Sequence, residues 1–250
     1  MTDALFTYVL RLADDAAILG QRLGEWCGHA PTLEEDIGLA NVALDHVGQA
    51  RALYSYAAEV EGKGRDEDQL CFLRVERAFR NCLLVEQPNG DFAQTIARQL
   101  FFSAFMLPFW EKLTGSSDAT LSAIAAKAEK EAAYHLRHAS EWTIRLGDGT
   151  AESHRRMQEA IDLLWPYTGE LFEADDTVSE LVAAGIAVDP QGLRAGWLAT
   201  LSRVLEEATL TLPAQGWMQT GGRDGRHSES FGHLLSEMQY MQRAYPGHTW

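Results

Sequence analysis

A carboxylate precedes a histidine by three positions only once in this chain, at Asp224 and His227, in a glycine-rich stretch. That scarcity matters because residues three apart leave one helix face toward the same point, and helical bundles hold two irons with paired Glu-x-x-His turns. His135 has Ala132 three before it, His138 has His135, and His46 has Ala43. Asp45 is followed three residues on by Gly48. Cysteine is scarce as well. Cys27, Cys71 and Cys82 make neither a disulfide framework nor a C-x-x-C pair, and they read as helix-core thiols. Lys and Arg total 21 against 36 Asp and Glu, a formal charge of −15. Such a charge repels nucleic acid and anionic membrane, so neither is expected as a partner. Solubility is its plain reading, and a basic partner surface the sharper one. The longest apolar run, Leu100–Trp110, is about half of what spans a bilayer, and Pro108 interrupts it. The first residues, Met-Thr-Asp-Ala-Leu-Phe, form no basic leader, so a cytoplasmic protein is expected. No Gly-x-Ser-x-Gly or similar context suggests a nucleophile.

What is present is core-forming material. Apolar residues make up 46 % of the chain, with seven Trp and ten Phe, enough for a large folded domain. The apolar spacing is helical nearly throughout. Leu5, Tyr8, Val9, Leu12, Ala13, Ala16 and Leu19 give a first helix to about Gly24. Thr32 and Glu35 form a capping-box pattern. The second helix that follows carries Ile37, Ala40, Leu44, Val47, Arg51 and Tyr54 on one stripe. A third is expected through Phe72, Val75, Phe79 and Leu83, ending at the turn Gln87-Pro88-Asn89-Gly90. Asp91 caps a fourth toward Leu113, and a fifth covers about 119–146. A sixth is expected over about 151–173, kinked at Pro166, then a short one near 177–184. After the linker Gly185–Pro190 come a seventh, about 191–208, and a last one from Ser228 through Met241. No stretch alternates as a strand does.

The fold expected is therefore all-α. Helices one, two, four and five make two hairpins, a ferritin-like four-helix core of about 4–147, with the helices of about 150–243 packed outside it. The whole chain, 1–250, is expected to form one domain. Asn41, Asp45 and Gln49 follow one another at four-residue steps on helix two, and Lys127, Glu131 and His135, with His138, do so on helix five. They read either as the remnant of a metal cavity, now filled by hydrogen bonds and ion pairs, or as solvated faces. The segment Thr220–His227 sets Arg223, Arg226 and His227 among glycines and offers N–H groups and guanidiniums to a phosphate. No strand precedes it and no Lys-Ser/Thr follows, so a surface loop, a partner contact and a coenzyme A phosphate site all stay open. Trp26 with His29, and Trp217, read as core or interface aromatics.

The strings Gln21–Pro31, Leu84–Phe92, Glu131–Arg137, Gly185–Pro190 and Thr220–His227 resemble the C subunits of ring-1,2-phenylacetyl-CoA epoxidases, and the likeness runs end to end. Alanine at position 132 fits that resemblance. It implies a structural subunit of ferritin-like fold that carries no metal or cofactor of its own and forms a hetero-oligomer. Its partners would be a catalytic A subunit holding the di-iron centre and the other epoxidase subunits. A reductase subunit would supply electrons from NADPH through flavin and iron–sulfur centres. The complex would epoxidise the ring of phenylacetyl-CoA in aerobic phenylacetate degradation. Two other classes remain, a free-standing di-iron oxygenase and a coenzyme-A-thioester binding module.

Overall fold

The computed structural model describes residues 1–248. Its regular structure is helical, with no strand among the described residues, and the all-α architecture is consistent with a ferritin-like helical bundle. The chain divides into two compact units. One joins Met1–Pro88 to the segment from Gly221 onward, and the other is Asn89–Thr220.

In the first unit α1 (Thr2–Gly24) and α2 (Leu33–Glu61) form a hairpin. Thr32 caps α2 by accepting the Glu35 N–H at 3.4 Å, and three acidic residues in its first turn complement the helix dipole. Gly62, at φ 66°, ends it in the left-handed conformation that glycine adopts without strain. The two helices approach closely at Gly20, where a Cβ would lie 3.3 Å from both Ala43 O and His46 Cβ.

The single third helix expected through Leu83 does not form. The chain instead makes α3 (Glu67–Phe72), a 3-10 turn Glu76–Ala78 and α4 (Leu83–Glu86). The cause lies on α1. The N–H groups of Arg80 and Cys82 donate to the carboxylates of Asp14 and Asp15, at 2.7 Å each, so these amides serve side-chain acceptors and not a helical ladder. The last expected helix is likewise two, α10 (Glu229–Met238) and α11 (Tyr240–Ala244). At the break, Gln239 donates its side-chain amide to Arg74 O at 3.0 Å.

The stripe expected on α2 needs a larger correction. Leu39, Val42, Ala43, His46, Leu53 and Ala57 are buried, whereas Ile37, Leu44 and Val47 are 55 %, 66 % and 52 % exposed. Of the expected stripe only Tyr54 is buried. This helix is apolar on two faces, so spacing alone does not say which of them meets the core.

In the second unit α5 (Phe92–Leu113) and α6 (Ala119–Gly147) form another hairpin, capped by Asp91 and Asp118 at 3.0 and 2.9 Å. The helix α5 runs on through Pro108, and nearly all of the Leu100–Trp110 run is core. Next come α7 (Ala151–Leu164), α8 (Asp176–Ala183) and α9 (Arg194–Glu207). The expected kink at Pro166 is in fact a helix end. The chain leaves α7 at Leu164 for the 3-10 turns Trp165–Tyr167 and Gly169–Phe172, because proline has no N–H and disfavours helix in the residue before it. Trp165, Trp197, Phe101 and Phe172 cluster at this point, and Trp197 Nε1 donates to Phe101 O at 2.9 Å.

Candidate functional site

The residues singled out on α2 and α6 belong to different units. On α2 Asn41 is exposed, Asp45 half-buried and Gln49 buried. On α6 His135 is buried, Glu131 and His138 are half-buried, and Lys127 is exposed. Lys127 Nζ lies 3.4 Å from Glu131 Oε1, an i,i+4 pair of the kind worth about 0.2–0.5 kcal/mol.

The densest buried charge in the first unit lies on α1, where periodicity gave no reason to look. Asp14 is 0 % exposed and accepts from Tyr54 Oη at 2.6 Å, from both terminal guanidinium nitrogens of Arg74, and from Arg80 N. The Arg74 guanidinium also stacks 4.1 Å over the Phe79 ring. Burial, followed by the charge of Asp14, pushes the Tyr54 hydroxyl well above its ordinary range.

Beside it, Asp15 takes both terminal nitrogens of Arg223, at 3.0 and 2.7 Å, and Arg223 also donates to Arg80 O at 2.9 Å. Burial raises the Asp15 carboxyl above its ordinary value, and the Arg223 charge offsets part of the shift. Glu86, also 0 % exposed, is the third anchor. It lies 2.7 Å from His227 Nδ1 and accepts from Asn81 Nδ2 at 2.8 Å and Ser228 N at 2.6 Å. Its backbone carbonyl receives two bonds from Arg22.

From Gly221 on, this segment is thus anchored through Arg223 and His227 inside the first unit. Arg226 alone of its three basic side chains stands at the surface, 2.9 Å from Asp224. Gly225, at φ 79°, comes so close to the 3-10 turn that a Cβ would lie 2.4 Å from Arg77 O. The usable sequence signal was Asp14-Asp15, two adjacent acids within an otherwise apolar stretch of the first helix, Leu12–Leu19.

A groove of about 660 Å³ opens on the same unit. Gly20 of α1, Leu44 and Val47 of α2, Cys71 and Phe72 of α3, and Met238 of α10 line it. The Cys71 thiol is pushed up to about 12, chiefly by burial. At the rim, burial and then the neighbouring Asp66 and Glu67 raise the Asp68 carboxyl.

The donor set does not fit a di-iron group. Asp14, Asp15 and Glu86 are taken by guanidinium, imidazole, hydroxyl and amide groups, and no three His, Cys, Asp or Glu among the described residues converge on a point where a metal ion could sit. The positions three before the buried His46 and His135 are the buried Ala43 and Ala132.

A family model described as phenylacetic acid catabolic protein matches residues 1–250. The chain is 54 % identical over 246 residues to the C subunit of the 1,2-phenylacetyl-CoA epoxidase of Escherichia coli (strain K12), covering 98 % of this chain and 99 % of that one. Among the described residues no helix is long and apolar enough to cross a membrane.

Proposed function

The chain belongs to the phenylacetic acid catabolic protein family, and from that premise we propose that it is the non-catalytic, structural subunit of an oxygenase that epoxidises the aromatic ring of phenylacetyl-CoA. One observation carries the reading. The helices that would present Glu-x-x-His instead bury Ala43 and Ala132 three residues before their histidines, while the buried Asp14 and Asp15 are matched to guanidiniums of the same chain. Such a bundle supplies shape and partner surface. The redox chemistry belongs to a catalytic A subunit holding the di-iron centre, fed by a reductase with flavin, iron–sulfur clusters and NADPH. On this reading the protein works in the cytoplasm, in a hetero-oligomer with those subunits. Asn41, Asp45, Gln49, Lys127, Glu131, His135 and His138 then contribute to stability as polar positions of the helices.

Co-expression with the catalytic subunit tests the proposal. One joint peak on size exclusion is expected, with iron assigned to the partner and no turnover by this chain alone. Two tightly held irons per isolated chain, or full activity of the catalytic subunit without it, would refute the reading. Of the two loop arginines that the thioester-binding alternative would use, Arg223 is engaged by Asp15 and Arg226 stands at the surface beside Asp224.

A further inference from the structure

Leu33, Ile37, Ala40, Leu44, Val47 and Arg51 succeed one another on α2 at steps of four, three, four, three and four residues. That is the a/d spacing of a helix whose seam packs lengthwise against another helix. The opposite face of α2, with Leu39, Val42, His46, Leu53 and Ala57, is buried. The seam is open, with Leu33 73 % and Leu44 66 % exposed. A helix apolar on both sides is stable in water only when both are covered, and a contiguous exposed apolar strip marks an interaction surface. The strip runs for about 27 Å at 1.5 Å per residue, long enough for some five turns of a second helix.

Charge selects the occupant. Glu34 and Asp36 border the first turns of the seam on α2, and Glu67 and Asp68 line the groove at the start of α3. The seam's one basic side chain, Arg51, lies 3.5 Å from Glu67. A second copy would bring the same acids face to face, and each chain already carries −15.

We propose that the α2 seam Leu33–Arg51 and the groove beside it are the docking surface for one long helix of a non-identical subunit, a helix whose apolar ridge is flanked by Lys and Arg. The inference rests on the hetero-oligomer reading above and adds to it the face and the chemistry of the contact.

The full-length chain, co-expressed with the catalytic subunit of the epoxidase, provides the test. The double substitution Leu44→Asp, Val47→Asp is expected to weaken association at least ~100-fold, since it sets carboxylates in the centre of an apolar seam. Leu163→Asp, at a 55 % exposed position of α7, should leave association within about twofold. A photo-cross-linking side chain at Leu44, tolerated at an exposed site whatever the double variant does to folding, should capture a partner helix with basic flanks. Wild-type chains that associate while the folded double variant associates equally well would overturn the surface and leave the hetero-oligomer reading standing. Cross-links to a second copy of this chain, or to an acidic or non-helical segment, would overturn it too. Wild-type chains that never associate would remove both.

Discussion

Glu86 shows how much one side chain holds. Its carboxylate meets His227, Asn81 and the Ser228 N–H with no exposure to solvent, so it fastens the chain after Gly221 to the segment before α4. Removing one partner of a buried charged contact leaves the others uncompensated. Glu86→Ala should therefore cost about 3–5 kcal/mol, and Glu86→Gln, which keeps the shape but loses the charge, about 1–3 kcal/mol. Urea unfolding curves check this, and a loss under about 0.5 kcal/mol would mean that the segment is held by its apolar contacts instead. Cys71 and Tyr54 make a pH prediction. Burial is the largest cause of the rise in each, taking the thiol from its ordinary 9.0 to about 12 and the hydroxyl above its ordinary 10.0. Above pH 9 the unfolded chain has therefore released protons that the folded chain keeps, and stability falls where the native state binds more protons. The contribution is fully present below pH 9.0 and is lost as pH rises toward about 12. Unfolding midpoints measured from pH 8 to 11 should decline, and Cys71→Ala should flatten part of the slope. A slope unchanged by that substitution would show that the thiol titrates as it does in water.

At the scale of elements, the hairpins were legible because their signals are local and redundant. Thr32, Asp91 and Asp118 all cap helices through side-chain acceptors, as the residue types at those positions imply. Apart from the helix end at Pro166, which proline sets locally, the failures share a cause, which is that the deciding partner is far away in sequence. The stretch from Phe72 to Leu83 has helical spacing, but Asp14 and Asp15, more than sixty residues earlier, take two of its amides. The exposed stripe of α2 escapes a reading from spacing because apolar periodicity reports that a face is covered and does not say by which chain. At the candidate site, the absent Glu-x-x-His pairs could be read directly, whereas the anchoring roles of Asp15, Glu86 and His227 depend on contacts over more than a hundred residues. One substitution on α6 bears on the metal question. Ala132 is 2 % exposed, so Ala132→Glu would create Glu-x-x-His at the cost of a carboxylate where a methyl group sits. It should destabilise the chain by about 1–3 kcal/mol and recruit no di-iron centre, because α2 has Gly48 three residues after Asp45. Thermal melts with and without ferrous iron read both effects, and a variant that gains stability and iron together would contradict them.

For the whole molecule, the feature that no residue or helix explains alone is the charge of −15. Spread evenly, it would only keep the protein in solution. Here acids gather beside an open apolar seam, so the same charge favours a basic helix over a second copy. The consequence is kinetic before it is energetic, because complementary charge accelerates encounter while apolar packing sets how long the complex lasts. Raising ionic strength from about 0.01 to about 0.1 M shortens the screening length from about 30 to about 10 Å. Association of this chain with the catalytic subunit should then slow by ~10-fold or more, while dissociation changes by less than about twofold. Stopped-flow or surface-based kinetics at several salt concentrations separate the two rates. An association rate indifferent to salt, or one that rises with it, would mean that the partner's contact face is not basic. The acids beside the α2 seam would then serve solubility alone.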